Sequence, residues 1–179
     1  MTTTEINIFK DIPANLLTPS VMNSFAEASV VCLDNQGHKS GVTFEVFGHI
    51  NENIILSWET EVTPKIKDAW NDLQDATEDG ASYLAILIIY HFTSYKVIKR
   101  SAKRTGFDYW LGEKEDEQYP FQNKARLEIS GILQENKKNP INRRVDVKLI
   151  QTKQSDNLKL PAYIVIVEFS KPQSQVAKK

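Results

Sequence analysis

A chain of 179 residues with 41% hydrophobic and 25% charged residues has the balance of one folded α/β domain with a sizeable core, and two complete domains would be cramped. A formal net charge of -1 removes any global electrostatic pull toward nucleic acid or membrane, so anion binding needs a local patch. The single cysteine, Cys32, excludes an intramolecular disulfide and a cysteine zinc cluster, and the seven scattered glycines form no phosphate-binding loop. The start of the chain lacks a basic region followed by an apolar one. Its most apolar run, residues 83–90, is far shorter than the roughly 20 residues of a membrane helix. A cytoplasmic protein with no membrane partner is the expectation.

Residues 1 to about 22 read as an arm poor in strands or a short helix. Residues 29–34 (Ser-Val-Val-Cys-Leu-Asp) read as a strand, with Cys32 as a small core residue rather than a nucleophile. Asn35-Gln36-Gly37 supplies a turn and residues 42–47 the returning strand of a hairpin. Residues 53–58 give a third strand. Together, 1–60 form an N-terminal arm and β-hairpin extension.

Thr63-Pro64 has the form of a helix start, threonine as N-cap and proline in the first turn. The helix runs through Ile66, Ala69, Trp70, Leu73 and Ala76 and stops at Asp79-Gly80. A second helix, about 81–93, is apolar nearly all round and therefore buried. Strands follow at 95–101, 106–111 and 125–132, with a solvated acidic loop at 113–117. Asn139-Pro140 opens a helix over about 140–153, and the continuous apolar run 162–169 suits a strand covered on both faces. Residues 173–179 read as a polar, frayed tail. The expected architecture is a single α/β domain over 1–179, a mixed sheet flanked by helices with its core in 61–172.

The chemistry concentrates in two strands. Gly106-Phe107-Asp108-Tyr109-Trp110-Leu111 and Ala125-Arg126-Leu127-Glu128-Ile129-Ser130-Gly131 each carry a carboxylate amid apolar residues. Burying a carboxylate requires a partner, hydrogen bonds or a metal. Two on neighbouring strands make a candidate Mg²⁺ or Mn²⁺ site, with Asp108 and Glu128 as ligands. Alternation places Lys124, Arg126, Glu128 and Ser130 on one face and Ala125, Leu127 and Ile129 on the other. The solvent-facing edge of an ordinary antiparallel sheet shows the same alternation. The three histidines, His38, His49 and His91, have no metal-ligand spacing.

From residue 81 the element order is helix, strand, strand, strand, helix, strand. With Asp108 and Glu128 on the second and third strands, this resembles the αβββαβ core of the restriction-endonuclease-like superfamily, the PD-(D/E)XK nucleases. The resemblance covers about half of the chain. It implies Mg²⁺ held by an aspartate and by a glutamate two residues before a lysine that orients or activates the attacking water. Glu78 is the nearest match to the helix glutamate that sometimes completes such a site. The lysine position holds Ser130, and Lys103, in the loop before Asp108, is the nearest substitute. The resemblance implies a metal-dependent nuclease or nuclease-derived nucleic-acid binder, in a setting such as bacterial restriction, repair or antiviral defence. The run Gly-Phe-Asp-Tyr-Trp-Leu-Gly also resembles small bacterial proteins, a likeness that brings no function with it.

Lys96, Lys99, Arg100, Lys103 and Arg104 place five cations in nine residues just before Asp108. Lys99, Arg100 and Arg104, with Arg126, are the candidates for holding a phosphate backbone. Neutralisation of this run by the acidic loop is the alternative. The rival function is a non-catalytic interaction subunit of a larger assembly, favoured by Ser130, with a protein partner or a second copy of the chain as its ligand.

Overall fold

The computed structural model describes residues 3–13, 17–115 and 122–179. Their strands form one eight-stranded mixed sheet in the order β1-β3-β2-β8-β7-β6-β5-β4. These are β1 (Thr4–Asn7), β2 (Val42–Gly48), β3 (Glu52–Ser57), β4 (Tyr95–Arg100), β5 (Tyr109–Glu113), β6 (Ala125–Ile132), β7 (Ala162–Glu168) and β8 (Gln173–Lys178). Helices α1 (Pro19–Asn35) and α3 (Leu73–Phe92) pack together on one face, and α4 (Ile141–Gln151) packs against β6, β7 and β8. The larger core contains Leu127, Ile129, Val165 and Val167 with the two long helices. Ile141 and Val145 of α4 join Ile164 and Ile166 in the smaller core. Every residue of β7 is buried, as its continuous apolar run requires. None of the described helices is long and apolar enough to cross a membrane.

Three expectations are corrected. Residues 29–34 are not a strand but the last turns of α1. Met22, Phe25, Ala26, Ser29, Cys32 and Leu33 recur at helical spacing and are buried. Thr18 caps this helix and Pro19 opens it, so the true hairpin is β2–β3, with Phe44 opposite Ile54. The arm holds strand β1, parallel to β3.

The helix opened by Pro64 stops early. Here α2 spans Pro64–Ala69, Trp70 ends it, and Trp70 Nε1 donates to Glu27 Oε1 of α1 at 2.8 Å. Asp72 then caps α3 by accepting from the backbone N–H groups of Gln74 and Asp75. Helix α3 continues through Asp79-Gly80 because the bare Cα of Gly80 serves contact rather than termination. A Cβ there would stand 2.9 Å from the Ser29 backbone of α1.

The tail is not frayed. Strand β8 lies inside the sheet, antiparallel to β7 and parallel to β2, with Ser174 and Val176 buried. It is the strip that joins the N-terminal strands to the rest of the sheet. Deleting residues 173–179 would open two sheet edges, those of β2 and β7, and uncover Val46 and Val165, which lie opposite Ser174 and Val176. The expected outcome is loss of cooperative thermal unfolding, read by circular dichroism. A truncated chain that melts like the full-length one would contradict the central placement of β8.

Candidate active site at the open edge of strand β6

The site begins where a ladder stops. Strand β5 pairs with β6 only from Tyr109↔Leu127 to Leu111↔Ala125, while β6 runs on to Ile132 with β7 alone on its other side. The second half of β6 therefore has an open edge. Asp108, just before β5, fills the first gap: its Oδ2 accepts from the Ile129 backbone N–H at 2.8 Å. Its own backbone N–H donates to Leu127 O at 2.9 Å, and its carbonyl accepts from Ser101 N–H at 2.7 Å. The aspartate is thus fixed by main chain on both sides.

Glu128 is 1% exposed and points to the α4 side. Its Oε1 accepts from Lys148 Nζ at 2.5 Å and from Gln151 Nε2 at 2.9 Å, both on α4. Its Oε2 is buried with no hydrogen-bond partner among the described residues. The Asp108 and Glu128 carboxyls are near enough for each to influence the other's proton affinity. Two facing acceptors hold together only with a proton or a cation between them. The orphaned Oε2 beside a second carboxylate suits a divalent cation, although no group of three or more His, Cys, Asp or Glu converges among the described residues.

A glycine brings these parts together. Gly106 has φ +83°, and a Cβ there would sit 2.5 Å from Gln151 O. Only glycine allows the loop carrying Asp108 to press on the end of the helix carrying Lys148 and Gln151. The resulting cleft of about 700 Å³ is walled by Glu78, Asp79 and Ser82 of α3, by the loop around Lys103, and by Arg144, Lys148 and Gln151 of α4.

Among the expected cations, Arg100, Lys103 and Arg104 line this cleft. Lys99 does not line it; its ammonium lies over Trp110, 5.5 Å from the ring centroid. Arg126 is corrected outright. It is 2% exposed, because β6 is paired on both sides at that position and the segment after α4 covers it. Its guanidinium donates to Ser155 Oγ and Leu160 O, each at 2.7 Å, and to Thr152 O at 3.3 Å. That side chain holds the fold and cannot reach a phosphate. Glu78 lies within α3, and it lines the cleft. Part of the expected acidic loop, 116–117, lies outside the described residues.

Sequence reasoning missed Lys148, Gln151 and Arg144. Their spacing places them on one side of α4, a signal present in the sequence but unreadable without knowing which element α4 faces. Cys32 is confined to the core, where burial pushes its thiol up to about 12 and so disfavours the thiolate that a nucleophile needs.

Burial raises the Glu128 carboxyl from 4.5 to about 7; the Asp108 charge adds to this and Lys148 opposes it. Asp108 is an exposed residue, yet local desolvation of its carboxyl also raises it, opposed first by the Ile129 N–H and then by Lys148. Because the folded value of Glu128 exceeds the unfolded one, its contribution to stability is complete below about pH 4.5 and is lost as pH rises through about 7. In chelator, the protein is expected to weaken across that window by on the order of 3 kcal/mol, at about 1.4 kcal/mol per unit. Glu128→Gln should flatten the loss, measured by urea unfolding at several pH values. Equal pH dependence in variant and wild type would contradict the burial argument. Arg126→Ala should cost about 3–5 kcal/mol in the same assay by stranding buried carbonyls. Unchanged stability would refute its structural role. Against known proteins, no family model, no curated protein and no solved structure matches this chain.

Proposed function

We propose that the chain is a divalent-metal-dependent phosphodiesterase acting on nucleic acid, with a core resembling that of the PD-(D/E)XK nucleases. The observation that carries this reading is the meeting of Asp108, Glu128 and Lys148 at the open edge of β6. The order α3-β4-β5-β6-α4-β7, with β6 parallel to β7 and antiparallel to β5, supports it.

Asp108 and Glu128 would hold Mg²⁺ or Mn²⁺. When bound, such an ion supplies charge that offsets the phosphate and acidifies a water. The remaining tasks belong to the chain. Main-chain bonds fix Asp108, so little reorganisation is needed at the reacting centre. Lys148 is the stronger substitute for the missing motif lysine. Its side chain is 19% exposed and its ammonium touches Glu128, whereas Lys103 is an exposed residue of the lip. Lys148 would orient the attacking water beside Glu128. Arg100, Lys103 and Arg104 would draw the phosphate backbone to the cleft.

A second reading, a non-catalytic interaction subunit, is favoured by Val147 and Ile150 on the outer side of α4, which are 52% and 64% exposed. The two separate in one experiment, incubation of labelled DNA and RNA with purified protein and Mn²⁺. The nuclease reading expects cleavage, reduced at least about a hundredfold in Asp108→Ala, Glu128→Ala and Lys148→Met. Lys103→Ala should cost less than about tenfold. No cleavage by wild type with any divalent ion would overturn the nuclease reading and favour the subunit.

A further inference from the structure

Arg144 sits one helical turn before Lys148, on the same wall of the cleft. Its guanidinium is held by three hydrogen bonds. Nη1 donates to Ser130 Oγ at 2.9 Å, and Nε and Nη2 donate to Asn139 Oδ1 at 3.2 and 3.0 Å. Asn139 is itself fixed, because its backbone N–H donates to the carbonyl and side chain of Asn136. Both acceptors on Arg144 are neutral, and it makes no ion pair among the described residues. This sets it apart from the other cations in contact with β6. Lys148 is paired with Glu128 and Arg126 with Asp156.

A guanidinium carries five N–H donors, so Arg144 keeps one unused on each terminal nitrogen. Its planar fork matches two oxygens of a phosphate. A fixed cation whose charge is not neutralised, inside a half-enclosed cleft, is preorganised for an oxyanion.

We propose that Arg144, positioned by Ser130 and Asn139, forms an anion subsite that takes phosphate oxygens of a nucleic-acid backbone beside the carboxylate pair. The inference rests on the nuclease reading and deepens it. Ser130 then has a task of its own. At the position where the resembled motif has a lysine, it anchors an arginine arriving from α4. The two duties of a single lysine, steering the water and balancing the phosphate, are divided between Lys148 and Arg144.

The test is fluorescence anisotropy with a labelled DNA duplex and a labelled RNA strand, in Ca²⁺, over a series of salt concentrations. Arg144→Gln is expected to weaken binding about tenfold and to lower the salt slope by about one. Arg144→Lys should restore the slope but only part of the affinity, since it keeps charge and loses the fork. Ser130→Ala should give an intermediate loss with the slope kept. Arg143→Gln, on the exposed side of the same helix, should bind like wild type. Melting temperatures report whether each variant folds, and Ser130→Ala and Arg144→Lys carry the test if Arg144→Gln does not. Wild-type affinity and slope in the Arg144 variants would overturn the subsite and leave the nuclease reading standing, provided wild type still cuts. A wild type that neither binds nor cuts would overturn both.

Discussion

Glu128 is held almost wholly out of water on a β-strand, with a second carboxyl against it. Such a placement is unfavourable twice over, through lost hydration and through like charge. The surrounding structure reads as the set of conditions that make it tolerable. Lys148 and Gln151 satisfy one oxygen. Strand β5 begins late enough to leave the β6 edge open, and Asp108 caps the first free N–H there. The other oxygen of Glu128 has no hydrogen-bond partner among the described residues.

The sheet makes the arrangement stable. A charged pair at a strand edge draws on stability supplied elsewhere, as functional sites commonly do. Here it comes from two apolar layers, α1 and α3 on one face and α4 on the other, around the wholly buried β7. Arg126 serves the same end from within β6 by tying the segment after α4 to the sheet. That anchoring sets the height of α4, and so of Arg144, Lys148 and Gln151, above Glu128. Arg126 thus lies beneath the cover, while Lys148 and Arg144 of α4 meet Glu128 and Ser130, two and four residues further along the strand, in the cleft.

Much of this was legible in the residues. The strands β2, β3, β4, β6 and β7 and the helix α4 follow from alternation, apolar runs and the Asn139-Pro140 start. The carboxylate pair was legible too, because an acid between apolar neighbours is chemically conspicuous. The end of α1 was not, since Ser-Val-Val-Cys-Leu-Asp is rich in β-branched residues and buried helices lose their polar stripe. The Thr18-Pro19 cap carried the same signal as Thr63-Pro64 and would have corrected it. Strand β8 was hidden by composition. Only Ser174 and Val176 face the core, and its place depends on long-range pairing that no local pattern records. The same limit explains why Lys148, the lysine in contact with Glu128, was not singled out. Sequence proximity favoured a residue in the loop before Asp108, whereas the ammonium against Glu128 comes from twenty residues downstream of it.

The central claim is that Asp108 and Glu128 together hold a divalent cation. The most direct measurement is electron paramagnetic resonance of free Mn²⁺ during titration with the protein. The account predicts loss of the free-ion signal at one saturable site in wild type, and retention of that signal when either carboxyl is replaced by its amide. A wild-type protein that leaves the free Mn²⁺ signal unchanged, or amide variants that bind as tightly, would contradict it.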